Sequence, residues 1–333
     1  MSYTNGLDNP ELYMQVKLYT GNDTNDTAIT LDGDTNMQPD LVWIKSRDNT
    51  EEHMLTDSVR PINNYLASDN SGAEDSDSDN MQSLDSDGFS VGTRDTHNSN
   101  AIKYVAWCWK ESATAGFDIV SFTGNVTNRT ISHSLSAVPK VMIVKNREAS
   151  ESWVVYHASN TSAPETDYLI LNATNATADG NTTWNDTAPT SSVFTVSTSP
   201  AVNGDGEGMI MYLWSQKQGY SKFGSYTGNG NADGPFVYTG FRPAYVMMKR
   251  TDSSGYHWEI WDNKRDSFNL VDLGLTANQN VAEFTETFGD FVSNGFKIRG
   301  TNTNKNGSGG TYIYMAFAEA PFVNSNGVPC NAR

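Results

Sequence analysis

Three stretches of the chain spell out one pattern, and that repetition restricts the possible folds more than any bulk property does. Val16-Lys-Leu-Tyr-Thr-Gly-Asn22 leads to Gln38-Pro-Asp-Leu-Val-Trp-Ile-Lys45. Asp118-Ile-Val-Ser-Phe-Thr-Gly-Asn125 leads to Val138-Pro-Lys-Val-Met-Ile-Val-Lys145, and Lys222-Phe-Gly-Ser-Tyr-Thr-Gly-Asn-Gly230 to Phe241-Arg-Pro-Ala-Tyr-Val-Met-Met-Lys249. Each reads as a strand ending in a Thr-Gly-Asn turn, then a proline-led apolar strand closed by lysine. The matched threonines, Thr20, Thr123 and Thr227, recur at a period of about 100 residues, too long for a solenoid repeat and the size of one small domain.

Within each period one order recurs: opening strand, turn, proline-led strand, aromatic strand, long polar loop, Phe-containing strand, aromatic closing strand. The closing strands are Tyr104-Val-Ala-Trp-Cys-Trp109, Met209-Ile-Met-Tyr-Leu-Trp214 and Thr311-Tyr-Ile-Tyr-Met-Ala-Phe-Ala318. Many short strands punctuated by Gly and Asn turns predict an all-β chain of three tandem antiparallel β-sandwich or jelly-roll-like domains. The expected divisions are a lead-in over 1–15, repeats over 16–112, 116–216 and 220–322, and an extended tail over 323–333. Linkers of about five residues predict a compact array, with pseudo-threefold symmetry as one arrangement.

Hydrophobic residues make up 37% and aromatics 11%. The aromatic share argues against disorder, and the polar remainder fits small domains with long loops. The net charge of −17 leaves no cationic face, which weighs against nucleic acid as a partner. No apolar run is long enough for a spanning helix, and the N-terminus lacks a secretory signal pattern, so no membrane insertion and synthesis in a host cytoplasm are expected. Two cysteines provide no disulfide framework, and Cys108, inside an aromatic strand, reads as an inert core thiol.

The candidate sites are few. Asp75, Asp77 and Asp79 space carboxylates along the Ser68–Asp87 loop as a calcium loop does, but Gly and Glu are missing from the positions an EF-hand requires. A looser Ca2+ site there stands beside the plainer reading of a solvated loop; no other cofactor is implied. Trp184, flanked by Asn181 and Asn185 in the Asn/Thr-rich stretch 172–189, is the expected exposed recognition contact. Lys45, Lys145 and Lys249 read as charges that end and blunt apolar strands, with anion binding as the functional alternative. The five histidines lack metal-ligand spacing, and no nucleophile or phosphate-loop motif occurs.

The repeated Tyr-Thr-Gly-Asn, Gln-Pro-Asp-Leu-Val-Trp-Ile-Lys, Asp-Gly-Phe and Tyr-Val-Ala-Trp-Cys-Trp elements resemble a family of repeat-containing, virion-associated proteins of tailed bacteriophages, of marine and cyanobacterial type. The resemblance extends from about Tyr13 to Arg333 and brings no catalytic residues with it. It implies a non-enzymatic structural protein on the particle exterior: a tail fibre or tail-tip adhesin first, a capsid decoration (knob) protein second. A glycan depolymerase is the alternative from another class. The partners it implies are other virion proteins, a host-surface glycan and further copies in a homo-oligomer.

Overall fold

A computed structural model of the chain describes residue 4 and residues 6–331; the ends of the expected lead-in (1–3 and 5) and tail (332–333) lie outside the described residues. The first repeat supplies β1 (Met14–Thr20), β2 (Thr27–Thr30), β3 (Leu41–Ser46), β4 (Met54–Asp57), β5 (Asn64–Tyr65), β6 (Asp75–Ser76), β7 (Met81–Asp85), β8 (Gly88–Val91), the one-turn helix α1 (Asp95–Asn98) and β9 (Lys103–Trp109). The second supplies β10 (Phe117–Thr123), β11 (Arg129–Ser132), β12 (Val141–Asn146), β13 (Val154–His157), β14 (Asp167–Ile170), β15 (Ala178–Asp179), α2 (Asn181–Trp184), β16 (Val193–Val196), α3 (Pro200–Asn203) and β17 (Gly208–Trp214). The third supplies β18 (Ser221–Thr227), β19 (Asp233–Tyr238), β20 (Phe241–Arg250), β21 (Trp258–Asp262), β22 (Val271–Thr276), β23 (Phe284–Val292), β24 (Gly295–Arg299), α4 (Thr303–Asn306) and β25 (Thr311–Pro321). The chain is all-β, and its strand pairs are antiparallel.

The same strand order recurs three times: β1-β9-β3-β4, β10-β17-β12-β13-β14 and β18-β25-β20-β21-β22. A second, smaller layer, β2-β8-β7 or β11-β16, faces each of the first two sheets. In the third repeat β22 also pairs with β23, so both layers join into one eight-stranded sheet. The apolar run of each proline-led strand follows from burial on both faces. Leu41 and Trp43 point into a cluster shared by all three repeats, whereas Val42 and Ile44 point into the first repeat's own sandwich. Val141 and Ile143 against Met142 and Val144, and Tyr245 and Met247 against Val246 and Met248, divide in the same way. Three β-sandwiches thus turn their larger sheets inward onto one common core.

The signature turn is explained by a close backbone approach. A Cβ on Gly21, Gly124 or Gly228 would lie 2.2, 2.0 or 2.3 Å from the carbonyl oxygen of Ser99, Gly204 or Gly307, just past α1, α3 and α4. The following Asn donates its backbone N–H to a buried Asn side chain: Asn22 to Asn98 Oδ1, Asn125 to Asn203 Oδ1 and Asn229 to Asn306 Oδ1, at 3.0, 3.1 and 2.9 Å. The turn therefore pins the end of the opening strand to the short helix before the closing strand.

Two expectations are corrected. Ser68–Asp87 is not one exposed loop: it contains β6 and β7, and Ser68 is buried with its hydroxyl donating to Ala277 O of the third repeat at 2.6 Å. The described part of the tail is not extended. It turns at Asn324–Val328 and returns to the lead-in, where Ser325 N donates to Asp8 Oδ1 at 2.8 Å. The lead-in itself buries Leu7 in the shared core.

Candidate functional site

Polar residues that recur between repeats form a closed ring of contacts around the common core. Glu74 N of the first repeat donates to Arg147 O of the second at 2.7 Å. Thr177 N of the second donates to Thr251 O of the third at 2.9 Å, and Glu283 N of the third donates to Arg47 O of the first at 2.8 Å. A second ring runs parallel to it. Trp153 Nε1 donates to Ala67 O, Trp258 Nε1 to Ile170 O, and His53 Nε2 to Thr276 O, at 2.8, 2.9 and 2.9 Å. His53 fits as the Nε2–H tautomer, since its Nδ1 accepts from Trp43 Nε1 at 2.8 Å. Burial holds its pKa down to about 3, so the ring is neutral.

Side chains reinforce two of the three junctions with charge. At the first, Arg60 pairs with Asp57 at 2.7 Å and Glu74 at 2.9 Å; Glu74 also binds Arg147, and Tyr212 donates its hydroxyl to Asp57 Oδ2 at 2.6 Å. At the junction of third and first repeats, Arg265 pairs with Asp262 at 2.6 Å and Glu283 at 3.3 Å, Glu283 binds Arg47, and Trp107 Nε1 donates to Asp262 Oδ2 at 3.1 Å. The junction of second and third repeats is neutral. There His157 and Asn160 occupy the Asp–Arg positions, with His157 Nε2 donating to Tyr314 O and Thr177 Oγ1 to Asn160 Oδ1.

Lys45, Lys145 and Lys249 neither blunt an exposed edge nor offer an anion contact, because all three are 0% exposed. Their position on the strand places them on the face that carries Trp43, Ile143 and Met247 toward the shared core. Lys45 Nζ donates to Ser46 O and Asn49 O, Lys145 Nζ to Asn146 O, Ala149 O and Ser71 O, and Lys249 Nζ to Arg250 O. Burial brings each pKa down to about 8, which leaves the ammonium form in place at neutral pH. Each lysine organises the loop that follows its strand. Glu111 is pushed up to about 7, first by burial and then by its bond to the Asp118 side chain.

The sequence-predicted site residues do not converge. Asp75 accepts from Tyr65 Oη at 2.9 Å, Asp77 pairs with Arg94 at 3.2 Å and accepts from Asp79 N at 2.9 Å, and Asp79 is exposed. No group of three or more potential metal ligands forms among the described residues. Trp184 is 1% exposed, not a surface contact. The Asn/Thr-rich stretch turns through α2, which drives the indole under β14 and β16; its Nε1 donates to Asp167 O at 3.1 Å and its ring meets Tyr156 edge-on. Asn181 is exposed, and Asn185, in the left-handed region at φ 53°, accepts from Asn128 Nδ2 at 2.7 Å.

Among the described residues two clefts have room for a small ligand; the first borders the Asn/Thr-rich stretch 172–189, where a recognition contact was expected, and the second lies outside every stretch the sequence singled out as a candidate site. One, of about 250 Å3, opens at the neutral junction between Tyr168, Asn175, Thr177 and Ser254. The other, of about 290 Å3, lies where the second linker, the end of β19 and the exit of β25 meet, lined by Gln216, Gln218, Lys222, Tyr238, Thr239 and Phe322 among others. Neither lining contains a carboxylate, histidine or cysteine.

A comparison with curated proteins found no match. A family model described as a domain of unknown function, DUF7483, matches residues 9–321 and so runs unbroken through all three repeats. The chain belongs to the DUF7483 family.

Proposed function

We propose that the chain is a non-enzymatic structural and recognition protein of the exterior of a tailed-phage particle, a tail fibre or tail-tip adhesin that binds a host-surface glycan. The virion assignment rests on the resemblance carried by the repeated motifs. The observation that carries the choice of binding over catalysis is the distribution of reactive groups. The buried Asp57–Arg60 and Asp262–Arg265 pairs, His53 and His157 are spent on contacts between repeats, and Glu259 is paired with buried Lys305 inside the third repeat, while the clefts are lined by amides, hydroxyls, tyrosine and one lysine. General acid–base hydrolysis of a glycan needs two carboxyl groups facing one cleft. Such a lining holds a polar ligand without cleaving it.

A second reading, a capsid decoration protein, is favoured by one observation. The Asp8–Ser325 contact ties the lead-in to the tail and so adds both to the one closed body, as suits a compact knob better than an elongated fibre. Reconstruction of an intact particle decides between them. Density for this chain at the tail supports the adhesin, and contact with major capsid protein at many copies contradicts it. Incubation of the purified chain with host polysaccharide tests the non-enzymatic assignment: adsorption without shortening of the polymer is expected, and turnover contradicts it.

A further inference from the structure

We infer that the third repeat carries a binding site for an acidic, uronate-bearing glycan, formed by the outer face of β19 and the cleft behind it; the inference rests on the recognition reading and names its ligand class. The repeats themselves supply the comparison. Ile29, Ile131 and Val237 are equivalent, each paired with the Phe of the neighbouring strand (Phe89, Phe194 and Phe296). The residues on either side of them point outward. In the first repeat these are Ala28 and Thr30, and in the second Thr130 and Ser132. In the third they are Phe236 and Tyr238, 48% and 57% exposed. Two of three copies fold with small residues at these places, so folding does not require the aromatics.

Their setting suits a sugar. Alternation along the strand puts the two rings about 7 Å apart on one face. The Phe236 ring lies close over Gly295 of β24 and the Tyr238 ring beside Gly240, where added Cβ atoms would come within 3.1 and 3.6 Å of them. The rings therefore rest against backbone with their outer faces free. The C–H faces of successive pyranose rings are apolar and pack on such surfaces, while their hydroxyl rims call for amide and hydroxyl partners. Gln216, Gln218 and the Tyr238 hydroxyl supply these at the cleft, whose volume of about 290 Å3 admits one sugar unit.

The charge preference comes from Lys222. Its equivalents, by register against the closing strands, are Gln15 and Asp118. Both are buried and tie down the loop after the second strand of their repeat: Gln15 Oε1 accepts from Gly33 N at 3.0 Å, and Asp118 Oδ2 accepts from Ser134 N. In the third repeat the corresponding loop is held instead by Asn294 O, which accepts from Thr239 N and Gly240 N. This frees Lys222, half-buried, to face a cleft with no lining carboxylate to neutralise it. The preference is local: the uncompensated ammonium of Lys222 favours a carboxylate within the cleft, against the long-range repulsion from a chain of net charge −17, which salt screens.

The test presents the full chain to an array of uronate-containing oligosaccharides and their neutral counterparts, followed by titration calorimetry with the tightest binder. Binding of uronate oligomers is expected, with Phe236→Ala and Tyr238→Ala each weakening it at least tenfold. Lys222→Gln should abolish the preference for acidic over neutral sugar, and Thr30→Ala and Ser132→Ala should change nothing. All these positions are exposed or half-buried, so the variants keep the fold, which circular dichroism checks. Binding of no uronate oligomer, or unchanged binding by Tyr238→Ala and Lys222→Gln, overturns the proposal. So does a change confined to oligomeric state on gel filtration, which would make the aromatics a subunit contact. If the Phe236→Ala/Tyr238→Ala double variant still adsorbs host polysaccharide as the native chain does, this site is wrong and the recognition reading stands. If the native chain adsorbs none, both fall.

Discussion

Arg60 and Arg265 hold their junctions through buried guanidiniums, and removing one leaves its aspartate without a countercharge. Breaking a buried pair from one side costs about 3–5 kcal/mol, so Arg60→Ala should lower the unfolding free energy by that amount in urea titration. Glu74 adds a pH dependence at the acid end. Burial pushes its pKa up, but bonds from Arg147 and Arg60 outweigh this and hold it below the ordinary value. Its contribution is therefore present above the unfolded pKa of about 4.3 and is lost as the pH falls through the depressed folded value. The three buried lysines act at the alkaline end. Their folded pKa of about 8 lies below the unfolded 10.5, so the unfolded chain binds more protons between those values and stability rises with pH there. Lys249→Met should remove roughly 1 kcal/mol of the rise between pH 8.5 and 9.5. An identical rise in native and variant chains would show that Lys249 is not titrating in the fold.

At the scale of the element, the Thr-Gly-Asn turn is a clamp between the first strand of a repeat and the helical turn before its last strand. Gly124→Ala places a methyl 2.0 Å from a carbonyl oxygen and should destabilise by about 2–3 kcal/mol. Asn203→Ala removes the acceptor for Asn125 N and the buried amide bonds to Thr127 O and Ser197 O, with a similar loss. Denaturant midpoints measure both. These elements were legible in the sequence because strand, turn, proline and closing aromatic strand recur in register, and recurrence reveals what a layer needs in order to fold. The loops were not legible. Glu74, Ser68 and Thr177 lie in polar stretches that look solvated, yet their partners, Arg147, Ala277 and Thr251, belong to other repeats, and composition carries no record of such distant pairing. Trp184 misleads for the same reason: its polar neighbours conceal the helical turn that buries it. Phe236 and Tyr238 were within reach of the sequence, as a strand where small residues in two copies become large aromatics in the third.

For the whole molecule, the decisive feature is that the larger sheets share one core. Trp43, Trp107 and Trp109 of the first repeat, Trp153 and Trp214 of the second and Trp258 of the third belong to a single buried cluster, and the two rings of hydrogen bonds close around it. A repeat cut from the chain would expose that face of its sheet to water and lose a neighbour on each side. Burying it is worth about 25 cal/mol per Å2 of apolar surface, so an isolated segment 116–216 should not fold on its own. A body closed in this way gives a rigid frame for the β19 face and its cleft, which sit at its periphery. Scanning calorimetry of the full chain tests the shared core most directly. One cooperative transition is expected, with a calorimetric enthalpy about equal to the van't Hoff enthalpy; separate transitions, or a calorimetric enthalpy about three times the van't Hoff value, would contradict it by showing three repeats that unfold independently.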